Sequence, residues 1–427
     1  MVIHVVVPGD TVYGIARQYG VPPSQIIGDN ELANPARLAV GQALVVRFPE
    51  QVHTVRAGEN ITAIARRYGL TLRQLYRNNP ILRGEPVIYP GQTIVISYRD
   101  EGPKPPISVN GYAYPFIDKD LLQRTLPYLT YLTPFTYGIT PQGGLVDLED
   151  EVLLAMARSG GVAPLMHLST LTEEGNFSND LAHLVLTDMG VQDNLVANVV
   201  RTLEEKGYRG LDVDFEFVFP EDAPRYAAFL ARLRTVLNPL GLPVIAALAP
   251  KTSATQRGLL YEGHDYRAIG AAVDEVLLMT YEWGYTYGPP MAVAPLPNVR
   301  AVVEYALTEI PAEKLWLGVP NYGYDWPLPF VKGETRARSI SSRQAVNLAV
   351  RYGAAIQYSD YAQAPWFRYT DGEGRAHEVW FEDARSIRAK LALIPEYGMI
   401  GAGYWNLMRP FPQNWRVLDG FYDIRQV

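Results

Sequence analysis

From residue 107 to the end of the chain, eight short apolar segments alternate with amphipathic helical stretches, and this alternation leaves few folds open. The strand candidates are 107–113, 130–136, 161–168, 210–218, 243–249, 275–280, 314–319 and 400–405. Between them, 192–206, 223–237, 297–309 and 381–394 carry apolar residues at helical spacing. Strands alternating with helices build a parallel sheet covered by helices, and eight such units predict an α/β fold, a (β/α)8 TIM barrel. The rival is an open doubly wound sheet, but no glycine-rich phosphate loop follows the first strand. Between the seventh and eighth strands the alternation breaks. Residues 366–370 and 376–381 flank the turn Asp371-Gly-Glu-Gly374 and read as a hairpin. A small α+β insertion at about 328–385 is therefore expected to wall the mouth of the barrel.

The fourth strand is unusual. In Gly210-Leu-Asp-Val-Asp-Phe-Glu-Phe-Val218, three acids alternate with apolar residues, so Asp212, Asp214 and Glu216 share one face. A parallel barrel strand normally reads as an unbroken apolar run, because both faces are buried. Three inward carboxylates cost several kcal/mol per uncompensated ion, so they mark a site. An exposed strand with solvated acids is the bland alternative, and the flanking helices argue against it. Aromatics and polar residues crowd other strand ends: Met279-Thr-Tyr-Glu-Trp283, Asn321-Tyr-Gly-Tyr-Asp-Trp326 and Gly403-Tyr-Trp-Asn406. Aromatic faces beside carboxylates suit a sugar, which has an apolar ring face and polar hydroxyls.

Charge and composition support that direction. The net charge of −7 argues against nucleic acid, whose binding rests on clustered Lys and Arg. With no cysteine, disulfides and thiolate chemistry are excluded. The six histidines, His167 among them, show no metal-ligand spacing and are read as incidental, so no metal and no cofactor is expected. No stretch is long enough to span a membrane, and the apolar start lacks the basic flank and cleavage site of a signal peptide.

The first hundred residues repeat. His4-Val-Val-Val-Pro-Gly-Asp-Thr returns as His53-Thr-Val-Arg-Ala-Gly-Glu-Asn, and each copy ends on a Gly-Gln turn followed by a β-branched run. Each unit reads strand, helix, helix, strand, with Thr11 and Asn60 as N-caps. Modules are expected at 1–48 and 51–98, a charged Pro-rich linker at 99–106, and the barrel at 107–427. Both units resemble LysM modules (βααβ), which bind N-acetylglucosamine glycans such as peptidoglycan and chitin. The resemblance implies sugar contacts at Gly9, Asp10, Thr11 and Asn30–Leu32, and at Gly58, Glu59, Asn60, Asn79, Pro80 and Ile81. Modules that serve only as spacers are the alternative. Two weak modules on one chain would gain avidity on a repeating polymer.

The barrel resembles family 18 glycoside hydrolases, in particular the spore-germination and cortex-lytic N-acetylglucosaminidases. Their signature Asp-Gly-x-Asp-x-Asp-x-Glu reads here Arg209-Gly-Leu-Asp-Val-Asp-Phe-Glu216, departing at Arg209. Further matches are Met-Thr-Tyr281-Glu-Trp-Gly, Tyr-Gly-Tyr-Asp325-Trp, Val-Trp-Phe-Glu382-Asp-Ala-Arg-Ser and Tyr404-Trp-Asn. The resemblance implies retaining hydrolysis in which the sugar's own N-acetyl oxygen attacks. In that scheme Glu216 is acid and then base, Asp214 orients the acetamide, and Asp212 supports Asp214. Tyr281 bonds the acetamido oxygen and Trp405 floors the pocket. Tyr112, Tyr322, Asp325 and Glu282 are substrate-binding candidates by position. Taken alone, Tyr281 reads equally as a core aromatic, Trp405 as barrel-top packing and Glu282 as an ion-pair partner. Peptidoglycan, with spore cortex first, or a chitin-type polymer is the expected partner. A chitinase and a non-catalytic glycan binder are the other readings. The resemblance also implies association with the spore or cell wall of a spore-forming bacterium.

Overall fold

The structure, a computed structural model, describes residues 1–99, 102–172 and 174–427; Asp100 and Glu101 of the expected linker lie outside the described residues. The two repeats fold alike. In the first, strands Val2–Val5 and Ala43–Val46 pair antiparallel around helices Val12–Tyr19 and Pro23–Asn30. In the second, Pro49–Thr54 pairs with Thr93–Tyr98 around Ile61–Arg67 and Leu72–Asn78. Thr11 Oγ1 accepts the Gly14 N–H at 3.0 Å and Asn60 Oδ1 the Ala63 N–H at 2.8 Å, so both N-caps form as the sequence implies.

The modules are docked on the barrel rather than hung from it. Ala43-Leu-Val-Val46 is buried at every position, which a two-stranded sheet achieves only when something covers its second face. Leu44 and Val46 fill the module's own core, whereas Ala43 and Val45 enter the barrel's hydrophobic cluster. Full burial of Val45 alone contributes roughly 1.5–3 kcal/mol. The second module is held by cations. Arg73 donates to the carbonyls of Gly161, at 2.8 Å, and Leu129, and Arg77 pairs with Asp419 at 2.8 Å.

Eight parallel strands form a nearly closed barrel in chain order. They are Pro106–Ala113, Tyr131–Pro134, the third in two pieces (Ala163–Pro164 and Met166–Ser169), Leu211–Asp214, Val244–Leu248, Glu275–Leu278, Leu315–Pro320 and Gly401–Trp405. The eighth strand closes the ring on the first, Gly401 opposite Ser108. A Cβ at Gly401 would lie 1.9 Å from the Ser108 carbonyl oxygen, so closure depends on a residue without a side chain there. In the fourth strand Leu211, Val213 and Phe215 face outward into the helices, and Phe215 stacks on Tyr226 at 5.4 Å. The acids therefore face the barrel axis. Among the described residues no helix is long and apolar enough to cross a membrane.

The insertion is a five-stranded antiparallel sheet backed by helix Ser342–Tyr352. It includes the expected hairpin, Ala364–Thr370 with Ala376–Trp380, and also takes in Gly323–Pro327, upstream of residue 328. The chain leaves it through Glu382, which pairs with Lys390 of helix Ala384–Leu391 at 2.8 Å with both side chains fully buried. Removing one member of such a pair strands the other in a desolvated site. Lys390→Met is expected to lower unfolding free energy by roughly 3–5 kcal/mol in urea melts. The double variant Lys390→Met/Glu382→Leu should regain much of that loss; no recovery would mean that Lys390 acts through packing instead.

Candidate active site

The carboxylates sit where the fourth strand ends. Regular strand pairing stops at Asp214, opposite Ser169, so Glu216 stands on the loop at the barrel's C-terminal mouth rather than within the strand expected at 210–218. A His264 ring nitrogen 3.0 Å from the Phe215 carbonyl oxygen holds this exit in place. Depth then separates the acids. Asp212 is fully buried, Asp214 nearly so, and Glu216 is partly exposed.

Each acid has a different environment. Asp212 accepts a 2.5 Å hydrogen bond from the Tyr112 hydroxyl, yet burial dominates and pushes its pKa up to about 7. Asp214 is raised well above the ordinary carboxylate range, first by burial and then by the charges of Glu216 and Asp212. Its basic neighbour is His167, with Nε2 at 3.8 Å. That ring is no counter-ion, because burial depresses its pKa to about 3 and its Nδ1 lies 2.6 Å from Thr136 Oγ1. Glu216 is raised by burial and then by Glu282. Asp212 Oδ1 and Asp214 Oδ1 are buried without a hydrogen-bond partner among the described residues. Such orphans await either a shared proton or a ligand's N–H.

Glu282 follows Tyr281 at the end of the sixth strand, at φ 66°. It accepts hydrogen bonds from the Tyr322 hydroxyl and, at 3.1 Å, the Tyr324 hydroxyl, both carried by the chain entering the insertion. It remains open to solvent, yet desolvation by the surrounding protein still raises its carboxyl. The Tyr281 phenol is raised by burial and by the Asp214 and Glu216 charges, so it stays a neutral donor. Its ring fits against Gly318, where a Cβ would come within 2.9 Å of Tyr281 Cε1. Trp405 is partly buried and packs edge-on to Phe135 at 4.8 Å, with Tyr112 and Tyr114 about it at 6.0 and 6.1 Å. Among the described residues no Lys or Arg ion-pairs with any of the four acids. With no such cation beside them, buried carboxyls are shifted toward their protonated forms, and a positive charge developing nearby favours their ionised forms.

Asp212, Asp214, Glu216, Tyr281, Glu282, Tyr112, Tyr322 and Trp405 thus converge. Asp325 does not. It is buried in the insertion, accepting from Tyr369 at 2.9 Å and Arg338 at 3.1 Å and facing His377 Nδ1 at 2.9 Å. The expectation that the histidines are incidental fails for His167, which lies against Asp214 with Thr136 behind it. Its signal in the sequence was Met166-His-Leu-Ser169, where His167 and Ser169 alternate with apolar residues as the acids do.

In the repeats, most of the anticipated polar ligands serve the module itself. The Asn30 side chain brackets Val45, accepting its N–H and donating to its C=O, each at 2.8 Å, and Asn79 brackets Val95 at 2.7 Å in the same way. Asp10 accepts the Val7 N–H and meets His4, and Glu59 accepts the Arg56 N–H and meets His53. Thr11 and Asn60 are spent as caps. Gly9 and Gly58 turn at φ 92° and 81°, Pro80 opens the turn Pro80–Leu82, and Ile81 is 73% exposed. What these loops leave for a ligand is backbone and apolar surface.

With this geometry in hand, comparison with known proteins is specific. The model of glycosyl hydrolases family 18 matches residues 174–409, and the LysM domain model matches 4–47 and 53–97. A cortical fragment-lytic enzyme of Bacillus subtilis (strain 168) is 44% identical over 430 residues, covering 99% of each chain. The crystal structure of the spore cortex-lytic enzyme SleL from Bacillus megaterium QM B1551 superimposes with a TM-score of 0.85 at 39% identity, over 100% of this chain and 99% of that one. A chitinase from Chromobacterium violaceum matches 74% of this chain and 98% of its own, with a TM-score of 0.69 at 28% identity.

Proposed function

The chain belongs to glycosyl hydrolases family 18 and carries two LysM domains, and from that premise we propose that it hydrolyses spore-cortex peptidoglycan at the anomeric carbon of N-acetylglucosamine. The observation that carries the reading is the cation-free group of carboxyls at the end of the fourth strand. Glu216, whose pKa is raised by burial and then by Glu282, gives its proton to the glycosidic oxygen as the bond to the anomeric carbon breaks. The acetamido carbonyl oxygen of the same sugar bonds to that carbon and forms a cyclic oxazolinium ion. Asp214, with an unsatisfied oxygen, accepts the acetamido N–H as its own proton passes inward to Asp212, and the negative charge this leaves on Asp214 offsets the cation. Asp212 and Tyr112 hold Asp214 from below. Tyr281 donates to the acetamido oxygen, and Trp405 supports the ring. Water then adds to the anomeric carbon as the carbon's bond to the acetamido oxygen breaks and the acetamide is restored, the water's proton passes to Glu216, and configuration is retained.

Cortex is preferred over chitin as substrate because cortex-lytic relatives match nearly the whole chain, modules included. The LysM pair holds the polymer, and the protein acts at the spore. Digestion of purified cortex, with mass spectrometry of the new reducing ends, should find N-acetylglucosamine; muramic reducing ends would overturn the reading. Faster turnover of chitin oligomers than of cortex fragments would favour a chitinase.

The acid's neighbour sets a pH test. Negative Glu282 disfavours the ionised form of Glu216 and so raises its pKa. Glu282→Gln removes that charge, and Glu216 then loses its proton at lower pH. The alkaline limb of the kcat/KM profile, which reports the free enzyme, is expected to move toward lower pH. A limb that stays in place would show that Glu282 does not tune the acid.

A further inference from the structure

The helix-to-strand loops of the two modules do not look outward separately. Glu31, Leu32 and Ala33 of the first face Pro80, Ile81 and Arg83 of the second across one cleft of about 410 Å³. Its floor is Arg124 of the barrel and Arg343 of the insertion. Past Glu31 and Arg343 it continues into a narrower recess of about 70 Å³ that reaches Ser342 and Glu382.

Charge in this cleft runs against the rest of the chain. Glu31 is shared by Arg124, at 3.1 Å, and Arg343, at 2.6 Å. Arg83 on the rim, and Arg37 beside the recess, are exposed and have no acidic partner among the described residues. Four guanidiniums thus line the cleft and recess of a protein of net charge −7, against Glu31 and two recess carboxylates, Glu382 and Asp383, that are already paired with Lys390 and Arg385. At the closed end, Ser342 and Glu382 are more than nine-tenths buried, and Ser342 Oγ and Glu382 Oε1 have no hydrogen-bond partner among the described residues. Leu32 and the exposed Ile81 supply an apolar ledge between these polar groups.

We propose that this cleft is a composite site for a carboxylate-bearing amino-sugar strand, held jointly by both LysM modules, the barrel and the insertion. The planar fork of a guanidinium matches a carboxylate, the apolar ledge takes a sugar face, and the two buried oxygens take hydroxyl or amide donors. The proposal rests on the reading of the modules as glycan binders. It adds a preference for acidic strands that neutral chitin lacks.

The test uses the full chain carrying Glu216→Gln, so that the probe is not cleaved. The probes are N-acetylglucosamine–N-acetylmuramic acid oligomers with free lactyl carboxylates, and the same oligomers with those carboxylates methylamidated. Calorimetry should show the acidic form binding about tenfold more tightly, the sum of two modest exposed charge contacts. High salt and the double change Arg37→Glu/Arg83→Glu should each remove this preference while leaving the amidated form's affinity in place. Ser342→Ala should weaken both forms severalfold without shifting the melting temperature. Equal affinity for the two forms, or a preference that survives charge reversal, overturns the proposal. A heparin fragment competing as well as the acidic oligomer overturns it too, because the cleft is then a general polyanion patch. An unchanged Ser342→Ala variant leaves the recess filled by water and overturns its part in the site. If neither oligomer binds, the glycan reading of the modules fails as well.

Discussion

Glu216→Gln should leave a folded, glycan-binding protein that hardly turns over. The amide keeps the shape of the side chain but cannot donate a proton to the leaving oxygen or take one from water. General acid–base catalysis contributes about 10²–10⁴-fold, and here one group serves both steps, so the loss in kcat is expected near the upper end of that range. Cortex pull-down should remain at the parental level, because the LysM pair lies outside the barrel's mouth. Steady-state kinetics on a chromogenic N-acetylglucosamine oligomer, beside pull-down of insoluble cortex, reads both quantities. Activity within tenfold of the parent would remove Glu216 from the acid role.

The second large effect is expected at Asp214. Among the described residues this side chain has an oxygen with no partner and no Lys or Arg ion-paired with it, and a neutral His167 lies behind it. Asp214→Asn preserves volume but deletes the charge that offsets the oxazolinium ion and disturbs how the acetamide is held. Removing one such preorganised electrostatic contact costs about 10²–10³ in kcat. KM should change little, because the interaction grows only as positive charge develops. A variant with raised KM and normal kcat would make Asp214 a ground-state binder. After burial, the Glu216 charge is the strongest influence on Asp214, so titration in the pH profile belongs to these two acids together, and the variant should simplify it to a single step.

The readings that came from periodicity hold well. Alternation of period two put three acids on one face of the fourth strand, and alternation of strands and helices over 107–427 gave the barrel. Both are local regularities, visible in any window of the chain. Single polar residues are less legible, because their partners lie far away in sequence. Asn30 and Asn79 looked like sugar ligands, but each ties a helix end to a strand 15 or 16 residues on. Asp325 follows the tyrosines of the site, yet antiparallel pairing turns it into the insertion, toward His377. His167 was passed over because a lone histidine has no pattern of its own. Only the neighbouring strand, in register with Asp214 at Ser169, gives it a role.

The sequence by itself determined which elements form and which face of each is apolar, because backbone geometry and side-chain hydrophobicity act over a few residues. It also determined that the fourth strand carries acids inward. Tertiary structure decided what those acids are worth as chemical groups. Burial raises Asp212 and Asp214, the neutral His167 leaves them without a counter-ion, and Glu282 from another strand raises Glu216. Tertiary structure also decided that the two modules share a cleft, since Ala43 and Val45 bury against the barrel and fix the loops that face each other. Proton affinity and docking both depend on what surrounds a group in space, and closing the barrel brings together residues more than a hundred positions apart.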